Sequence, residues 1–331
     1  GTLRIGNANA LGGDTGFNGL LTINGGTLDI FGTGNAAIGA LAGSGGVITD
    51  TGFQLGSSVL STYSVASSAY AGSINDGNFR TLSLYKDGTG ILALTGASTY
   101  SGVTKIFEGA LSIGNNTALG TSVGETIVSS GAAVQVTGGI TSAEAFTVSG
   151  TGLSATSGVL QNLSGDNTLS GAITVTTASR FGSDAGTLTL GGALTATNLE
   201  LAFGGAGNVV VSGAMSLGTA GVTKDGLGTL TLSGTNTYAG ATAVTAGALR
   251  IANAAALGTT SSLVVTAGAA LQIAGGVTYV GVAATTPILQ NISGNNVWSV
   301  ALRPTNGGAL TLRSDAGVLT LNGVAGSLNA Q

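Results

Sequence analysis

The sequence predicts an all-β fold of the β-solenoid type, in which short strands stack as successive coils. Two observations carry this prediction. The chain repeats a segment of more than thirty residues almost unchanged, and inside that segment apolar and polar residues alternate over short runs. Composition agrees, because 60 glycines against 2 prolines in 331 residues suit many tight corners and argue against a proline-rich linker.

The repeated segment runs from Lys86 to Gly120 and returns from Lys224 to Gly258, at a constant offset of 138 residues. A second pair of similar segments begins at Leu160 and Leu289. The motif G[TA]L.I.N...ALG begins three times, at Gly1, Gly109 and Gly247. We therefore expect one β-solenoid fragment over residues 1–331, built of about three related modules. These are a partial module with an insertion at 1–85, a module at 86–223 and a partial module at 224–331.

Alternation within each module predicts half-buried strands. In "GTLTLSG", Gly228–Gly234, Leu alternates with Thr, and Thr81–Tyr85 and Gly247–Ile251 show the same period of two. Gly, Asn-Gly or Ser-Gly closes each run, and no segment keeps a helical period. Short strands also suit a sandwich, a barrel or a propeller. Internal copies favour a solenoid, whose coils bury their apolar faces on one another, and coils of 20 to 29 residues would give roughly 11 to 16 of them.

The composition lacks the residues on which most catalytic sites depend. The chain has no Cys and no His, which excludes disulfides, thiol nucleophiles, imidazole bases and the usual zinc sites. Charged residues make up only 7%, the formal net charge is −4, and the nine basic residues are scattered, so we expect no nucleic-acid partner. No apolar run reaches the roughly 18 residues of a membrane-spanning helix. The thirteen acidic residues are spread, whereas glycoside hydrolysis needs a pair. We therefore predict no catalytic, cofactor-binding or metal-binding residue, no cofactor and no enzymatic activity.

Acidic residues at glycine-rich positions are better explained by turns than by chemistry. Asp87 and Asp225 precede Gly in two Lys-Asp-Gly segments, and Asp184 and Asp315 occur in two Ser-Asp-Ala-Gly segments. Asp commonly bonds its neighbouring backbone at such turns. The isolated "GGDTG" at Gly12–Gly16 lacks the serial repeats of calcium-binding β-helices, so calcium is not expected.

Three aromatic residues have a structural and a functional interpretation. Tyr100 and Tyr238 occupy equivalent repeat positions, which favours packing or corner shielding over stacking on a sugar. Trp298 is the sole Trp and stands where the other copy has Leu169. Both core filling and a local contact fit that substitution.

The segment Asp225–Ile251 and its counterpart Asp87–Ile113 resemble the passenger-associated strand repeat of bacterial autotransporters, the type V secretion family. The resemblance lies in a Gly-x-Gly-x-Leu-x-Leu-x-Gly run, an Asn-x-Tyr-x-Gly run and a Gly-x-Leu strand. The earlier copy departs from this pattern at Ser98, where the later copy has Asn236. The resemblance implies a right-handed parallel β-helix passenger, exported by a Gram-negative bacterium and located outside the cell or at the outer-membrane surface. It also implies an outer-membrane barrel elsewhere in the full-length chain.

We expect the chain to be a structural rod or fibre that associates with itself laterally or end to end into filaments. The alternative is an adhesin that binds a host or environmental glycan or another cell, with the Ser- and Tyr-rich insertion Leu55–Phe79 as its candidate segment. A polysaccharide-degrading enzyme is a weaker hypothesis. Because the first residues already belong to a recurring motif, we also expect a piece of a longer protein.

Overall fold

The computed structural model describes residues 1–7, 10–11, 19–305 and 308–323, so Gly12–Gly16 lies outside the described residues. Within these ranges the chain consists of strands and turns, without an α-helix. The strands pair in parallel and form the coils of a β-solenoid of about 15 turns. The predicted all-β, parallel-coil fold is confirmed.

The chain divides into two compact units, Gly1–Ala172 and Ile173–Gln331. In each unit short strands from successive coils pair in parallel, and the paired strands form several separate sheets. The expected modules with boundaries near residues 85 and 223 stay a prediction.

The first unit contains strands β1 to β19, and in each sheet hydrogen-bonded neighbours follow one another along the stack. One sheet comprises β1 (Thr2–Arg4), β3 (Thr27–Asp29), β6 (Val47–Thr49) and β9 (Ser73–Ile74). Another comprises β4 (Asn35–Ile38), β7 (Gly56–Tyr63), β10 (Arg80–Asp87), β12 (Thr104–Ile106), β14 (Glu125–Val128) and β17 (Ala145–Val148). A third comprises β8 (Ser68–Tyr70), β11 (Ile91–Leu94), β13 (Ala110–Ile113), β15 (Ala133–Val136) and β18 (Leu160–Asn162). Two pairs complete the unit, β2 (Leu21–Thr22) with β5 (Leu41–Ala42) and β16 (Thr141–Ser142) with β19 (Asp166–Leu169).

The second unit contains strands β20 to β39 in the same kind of arrangement. One set comprises β20 (Ile173–Val175), β23 (Leu194–Ala196) and β26 (Met215–Ser216). The next comprises β21 (Ser179–Ser183), β24 (Leu201–Gly204), β27 (Val222–Lys224), β29 (Thr242–Val244), β31 (Leu263–Val265), β34 (Ala284–Thr285) and β37 (Leu302–Arg303). Another comprises β22 (Thr187–Leu190), β25 (Asn208–Val211), β28 (Thr229–Leu232), β30 (Ala248–Ile251), β32 (Ala270–Ala274), β35 (Ile288–Ser293) and β38 (Thr311–Ser314). The last comprises β33 (Thr278–Tyr279), β36 (Asn296–Trp298) and β39 (Leu319–Leu321).

The core is built of columns of apolar side chains, one from each coil. Leu230 pairs with Val209 on one side and Leu249 on the other, and the column continues through Leu271 to Leu289. All five side chains are buried. Burying one Leu contributes about 1.5–3 kcal/mol. The Thr residues that alternate with Leu in β28 are half-exposed, as the period of two predicts.

Tight corners close the coils, and two equivalent glycines show why Gly is needed there. Gly88 and Gly226 have φ angles of 77° and 73°, a region that side chains strongly disfavour. A Cβ on Gly226 would also lie 2.4 Å from the amide nitrogen of Gly205 in the preceding coil. The Lys-Asp-Gly segments therefore make the predicted corners.

The segment Leu55–Phe79, predicted as an insertion, lies mostly within the coils. It supplies β7, β8 and β9, which pair with β4 and β10, with β11 and with β6. Its exposed residues lie at the turns, at both ends of β7 and within β8. Any ligand of this segment would therefore meet a sheet and its corners.

Candidate functional site

The most regular polar site is a cage of backbone carbonyls around a buried lysine ammonium. Lys86 Nζ, at the end of β10, donates hydrogen bonds to the carbonyl oxygens of Asp87 (3.1 Å), Gly88 (2.6 Å) and Glu108 (3.1 Å). The first two carbonyls belong to the corner that follows the lysine, whereas Glu108 belongs to the next coil. The ammonium therefore ties two coils together.

The later repeat contains the same cage. Lys224 Nζ, at the end of β27, donates to the carbonyl oxygens of Asp225 (2.5 Å), Gly226 (2.8 Å) and Ala246 (3.2 Å). The two lysines are buried and use equivalent acceptors in the two units. The sequence predicts the corner but not the role of the lysine. The signal for it was a lysine at the same position of two charge-poor repeats.

Burial lowers the pKa of both ammonium groups. Removal from water lowers the pKa of Lys86 to about 8, although the negative charges of Asp87 and Glu108 act in the opposite direction. Burial likewise lowers the pKa of Lys224 to about 8, with Asp225 opposing the shift. These ammonium groups donate to backbone carbonyls, and the two lysine side chains thereby join neighbouring coils.

The corner aspartates behave differently in the two repeats. Asp87 Oδ1 accepts a hydrogen bond from the amide of Gly88 at 2.8 Å, as the turn interpretation predicts. Asp225 instead forms an ion pair with Arg180, with 2.5 Å between Oδ2 and Nη1. Asp184 and Asp315 are exposed at bends, which agrees with the predicted turns.

Tyr100 and Tyr238 are packing residues with a buried polar end. The hydroxyl groups of Tyr100 and Thr104 share a hydrogen bond of 2.6 Å, and those of Tyr238 and Thr242 share one of 2.9 Å. Both tyrosines are fully buried, so their rings cannot stack on an external sugar. Thr242 continues the network to the hydroxyl of Thr260 at 3.1 Å.

The position at which the repeats differ is a bridge between coils. Asn236 Oδ1 accepts a hydrogen bond from the amide of Met215 at 2.9 Å, and its Nδ2 donates to the carbonyl of Ala256 at 2.5 Å. Ser98 in the earlier repeat accepts from the amide of Ile74 at 3.2 Å. The serine therefore keeps the bond to the preceding coil, whereas the asparagine also reaches the following one.

A second recurrent polar group is a pair of buried asparagines. Asn167 Nδ2 donates to Asn162 Oδ1 at 2.5 Å, and Asn167 Oδ1 accepts from the amide of Ile140 at 2.7 Å. In the later copy Asn296 Nδ2 donates to Asn291 Oδ1, also at 2.5 Å. The sequence shows this repeat but does not predict the pairing, which depends on both side chains turning inward.

Glu144 is a buried acid that sequence analysis did not single out. Its Oε1 accepts a hydrogen bond from Thr126 Oγ1 at 2.9 Å, and its amide donates to Ser142 Oγ at 3.3 Å. Burial raises the pKa of Glu144 to about 7, the Thr126 hydrogen bond opposes this, and the negative charge of Glu125 adds to it.

Trp298 fills the core of the second unit. It is fully buried and stacks on Tyr279, with ring centroids 4.4 Å apart and an interplanar angle of 28°. Of the two explanations that fitted the sequence, the structure supports core filling. Tyr279 stands one strand before Trp298 in the same three-stranded sheet.

The described residues contain no group of three or more acidic, His or Cys side chains placed to hold a metal ion. No helix in the described ranges is long and apolar enough to span a membrane.

Comparison with known proteins adds one finding. The family model described as passenger-associated-transport-repeat matches the chain twice, at residues 84–113 and 222–251. The chain thus carries two such repeats, and each contains one lysine cage and one buried tyrosine. The matches, together with the β-solenoid fold, are consistent with an autotransporter passenger domain. No curated protein and no solved structure shows significant similarity to the chain.

Proposed function

We propose that this chain is a structural part of an autotransporter passenger, exposed at the surface of a Gram-negative bacterium or released from it. In this proposal the coils provide a stiff spacer or fibre, and function lies in shape and surface. The observation that supports it most is that the recurrent polar residues form hydrogen bonds inside the coils. Lys86, Lys224, Tyr100 and Tyr238 all point inward and bond other coils or neighbouring residues.

The physical properties of the coils fit that role. Backbone groups are paired from coil to coil by parallel ladders, and the apolar columns exclude water. A protease needs a locally unfolded segment, and a chain paired in such ladders contains few segments that unfold locally. The low charge content of 7% also leaves little basis for recognition by ion pairs.

Electron microscopy of negatively stained protein, combined with limited proteolysis, tests the proposal. We expect uniform elongated particles that resist trypsin, and we expect Lys224→Met to be cut faster because it empties a cage. Lys105→Met is the matched control, since Lys105 is the lysine outside the cages. Compact particles of no regular length, or rapid cleavage of the unaltered chain, would contradict a structural role.

A second candidate function is adhesion to a glycan, and one observation favours it. Tyr63, an exposed residue of the Leu55–Phe79 segment, lines a surface groove with Leu20 and Val65. An exposed aromatic ring beside a groove can stack on a sugar. A glycan-array signal that Tyr63→Ala abolishes and Phe107→Ala retains would support this function, because Phe107 is also an exposed aromatic residue.

A polysaccharide-degrading enzyme stays the weakest hypothesis. Release of reducing ends from a pectin-like polymer by the purified chain would replace the structural proposal with an enzymatic one.

A further inference from the structure

The corner after β10 holds a carboxyl group against the backbone amide that follows it in the chain. Asp87 Oδ1 accepts a hydrogen bond from the amide nitrogen of Gly88 at 2.8 Å. Asp87 is half-exposed, so water can reach its carboxyl group, and Gly88 has no side chain to hinder an approach to its nitrogen. The corner therefore keeps the two groups of a ring-closing reaction close together.

The lysine cage acts on the same peptide bond. Lys86 Nζ donates to the carbonyl oxygen of Asp87 at 3.1 Å, and this carbonyl belongs to the peptide unit whose nitrogen is that of Gly88. A positive charge at this oxygen stabilises the negative charge that develops there when the amide nitrogen loses its proton. The same charge polarises the carbonyl carbon for attack by water. Lys86 thus favours reaction at both the nitrogen and the carbon of this peptide unit.

The later repeat has the same residues in a different arrangement. Lys224 Nζ donates to the carbonyl oxygen of Asp225 at 2.5 Å, as Lys86 does to that of Asp87. The glycines of the two corners both have positive φ. Asp225 Oδ2, however, pairs with Arg180 Nη1, and this arginine is buried. The direction of the carboxyl group is therefore what distinguishes the two corners.

A third aspartate that precedes glycine is also held elsewhere. The carboxyl group of Asp76 accepts from the amide of Leu82 at 2.7 Å and from the hydroxyl of Ser101 at 2.5 Å. All three Asp-Gly pairs of the chain lie within the described ranges. Among them, Asp87 is the one whose carboxyl group is bound by the amide of its own glycine.

We propose that Asp87 and Gly88 form a site of spontaneous backbone isomerisation, at which aspartate is converted into isoaspartate. The amide nitrogen of Gly88 bonds to Cγ of the protonated Asp87 carboxyl group, and the amide proton leaves with the carboxyl OH as water. Water then adds to the backbone carbonyl carbon of Asp87 in the resulting succinimide, and the bond from that carbon to the Gly88 nitrogen breaks. One water is released and one is taken up, so the reaction needs no other reactant.

The product changes the lysine cage. The main chain gains a methylene carbon between Asp87 and Gly88, because it now passes through the former side chain. The oxygen of Asp87 to which Lys86 donates becomes part of a free carboxylate. The carbonyl of Gly88, which accepts from the same ammonium at 2.6 Å, must shift with the longer chain. The reaction therefore replaces a neutral acceptor of the cage by a charged one. This inference goes beyond the proposed structural function and does not depend on it.

Incubation of the folded protein in isotopically labelled water tests the site. The buffer is mildly acidic, because a protonated carboxyl group releases water more readily than an ionised one releases hydroxide. Each passage through the succinimide places one labelled oxygen in the chain, and peptide mapping with electron-transfer fragmentation locates it and distinguishes isoaspartate from aspartate. We expect label and isoaspartate to accumulate about tenfold faster or more at Asp87 than at Asp225. In urea, where both Lys-Asp-Gly segments are unfolded, the two rates should be equal.

Two variants separate this chemistry from a loosened corner. Asp87→Glu keeps the carboxylate but requires a larger ring, so labelling at this position should fall to background. Lys86→Met should slow labelling and lower the share of isoaspartate, whereas loosening alone would speed labelling. Equal labelling of Asp87 and Asp225 in the folded protein, or faster labelling in Lys86→Met, overturns the inference. Particle shape and protease resistance test the structural function separately, so failure of one proposal is distinguishable from failure of the other.

Discussion

Thr126 Oγ1 donates a hydrogen bond to Glu144 Oε1 at 2.9 Å inside the first unit. This pair places a titratable carboxyl in the packed interior of a coil, close to the charge of Glu125 and to Tyr100. The protonation state of Glu144 is therefore coupled to folding.

Glu144 should make stability fall as pH rises through 7. Burial raises its pKa from 4.5 to about 7, so the folded state binds more protons than the unfolded state between these values. Its contribution, on the order of 3 kcal/mol, is fully present below pH 4.5 and lost above pH 7. Chemical unfolding of Glu144→Gln should therefore show a flatter pH profile and higher stability at pH 8. The exposed Glu200→Gln is the control, and an unchanged slope for Glu144→Gln would contradict the assignment.

Replacing a caged lysine should destabilise its unit. Lys86→Met or Lys224→Met removes the donor from three carbonyls, and we expect a loss of about 2–3 kcal/mol in the free energy of unfolding. Lys105→Met should cost less than about 1 kcal/mol, because Lys105 lies over the face of Tyr85 in a half-exposed setting. Equal losses for all three variants would show that the cages add nothing.

The same lysines predict a rise in stability with pH in the alkaline range. Their pKa falls from 10.5 to about 8 in the folded state, so between these values the unfolded state binds more protons. Stability should increase over this window, before tyrosine ionisation in the unfolded state reverses it above pH 10. The double variant Lys86→Met, Lys224→Met should lack the increase when unfolding is measured at pH 8 and pH 9.5.

Converting the later repeat to the earlier one should weaken it. Asn236→Ser keeps an acceptor for the amide of Met215 but removes the donor to Ala256, and we expect a loss of about 1–2 kcal/mol. Thr237→Ser, a change at the exposed neighbour, should be close to neutral. Thermal unfolding of the two variants gives the comparison, and an unaffected Asn236→Ser would argue against the bridge.

Trp298 should report on the second unit alone. As the chain's single Trp, buried against Tyr279, it should emit at short wavelength and resist quenching by iodide. Tyr279→Ala should open the site and raise quenching several-fold, because the ring that covers the indole is removed. Strong quenching in the unaltered chain would contradict the packing.

The sequence predicts those features that depend on neighbours in the chain. Alternation in "GTLTLSG" predicts strand β28, and the recurrence of Tyr100 as Tyr238 predicts two packed rings. The sequence does not predict features that depend on contacts with the next coil. The Glu108 carbonyl that completes the Lys86 cage is remote in sequence, and only the length of the coil brings it to the ammonium. The inward turn of Glu144 and the pairing of Asp225 with Arg180 depend in the same way on which residues stack.

The lysine cage also has a consequence for how such a chain is extended. Lys224 finds two acceptors in its own corner, but the third, the carbonyl of Ala246, arrives only with the following turn. Asn236 likewise waits for Ala256. These two turns therefore gain their last hydrogen bonds only when the following turn is in place, so we expect that, if the chain folds turn by turn, the turn folded last is the least stable.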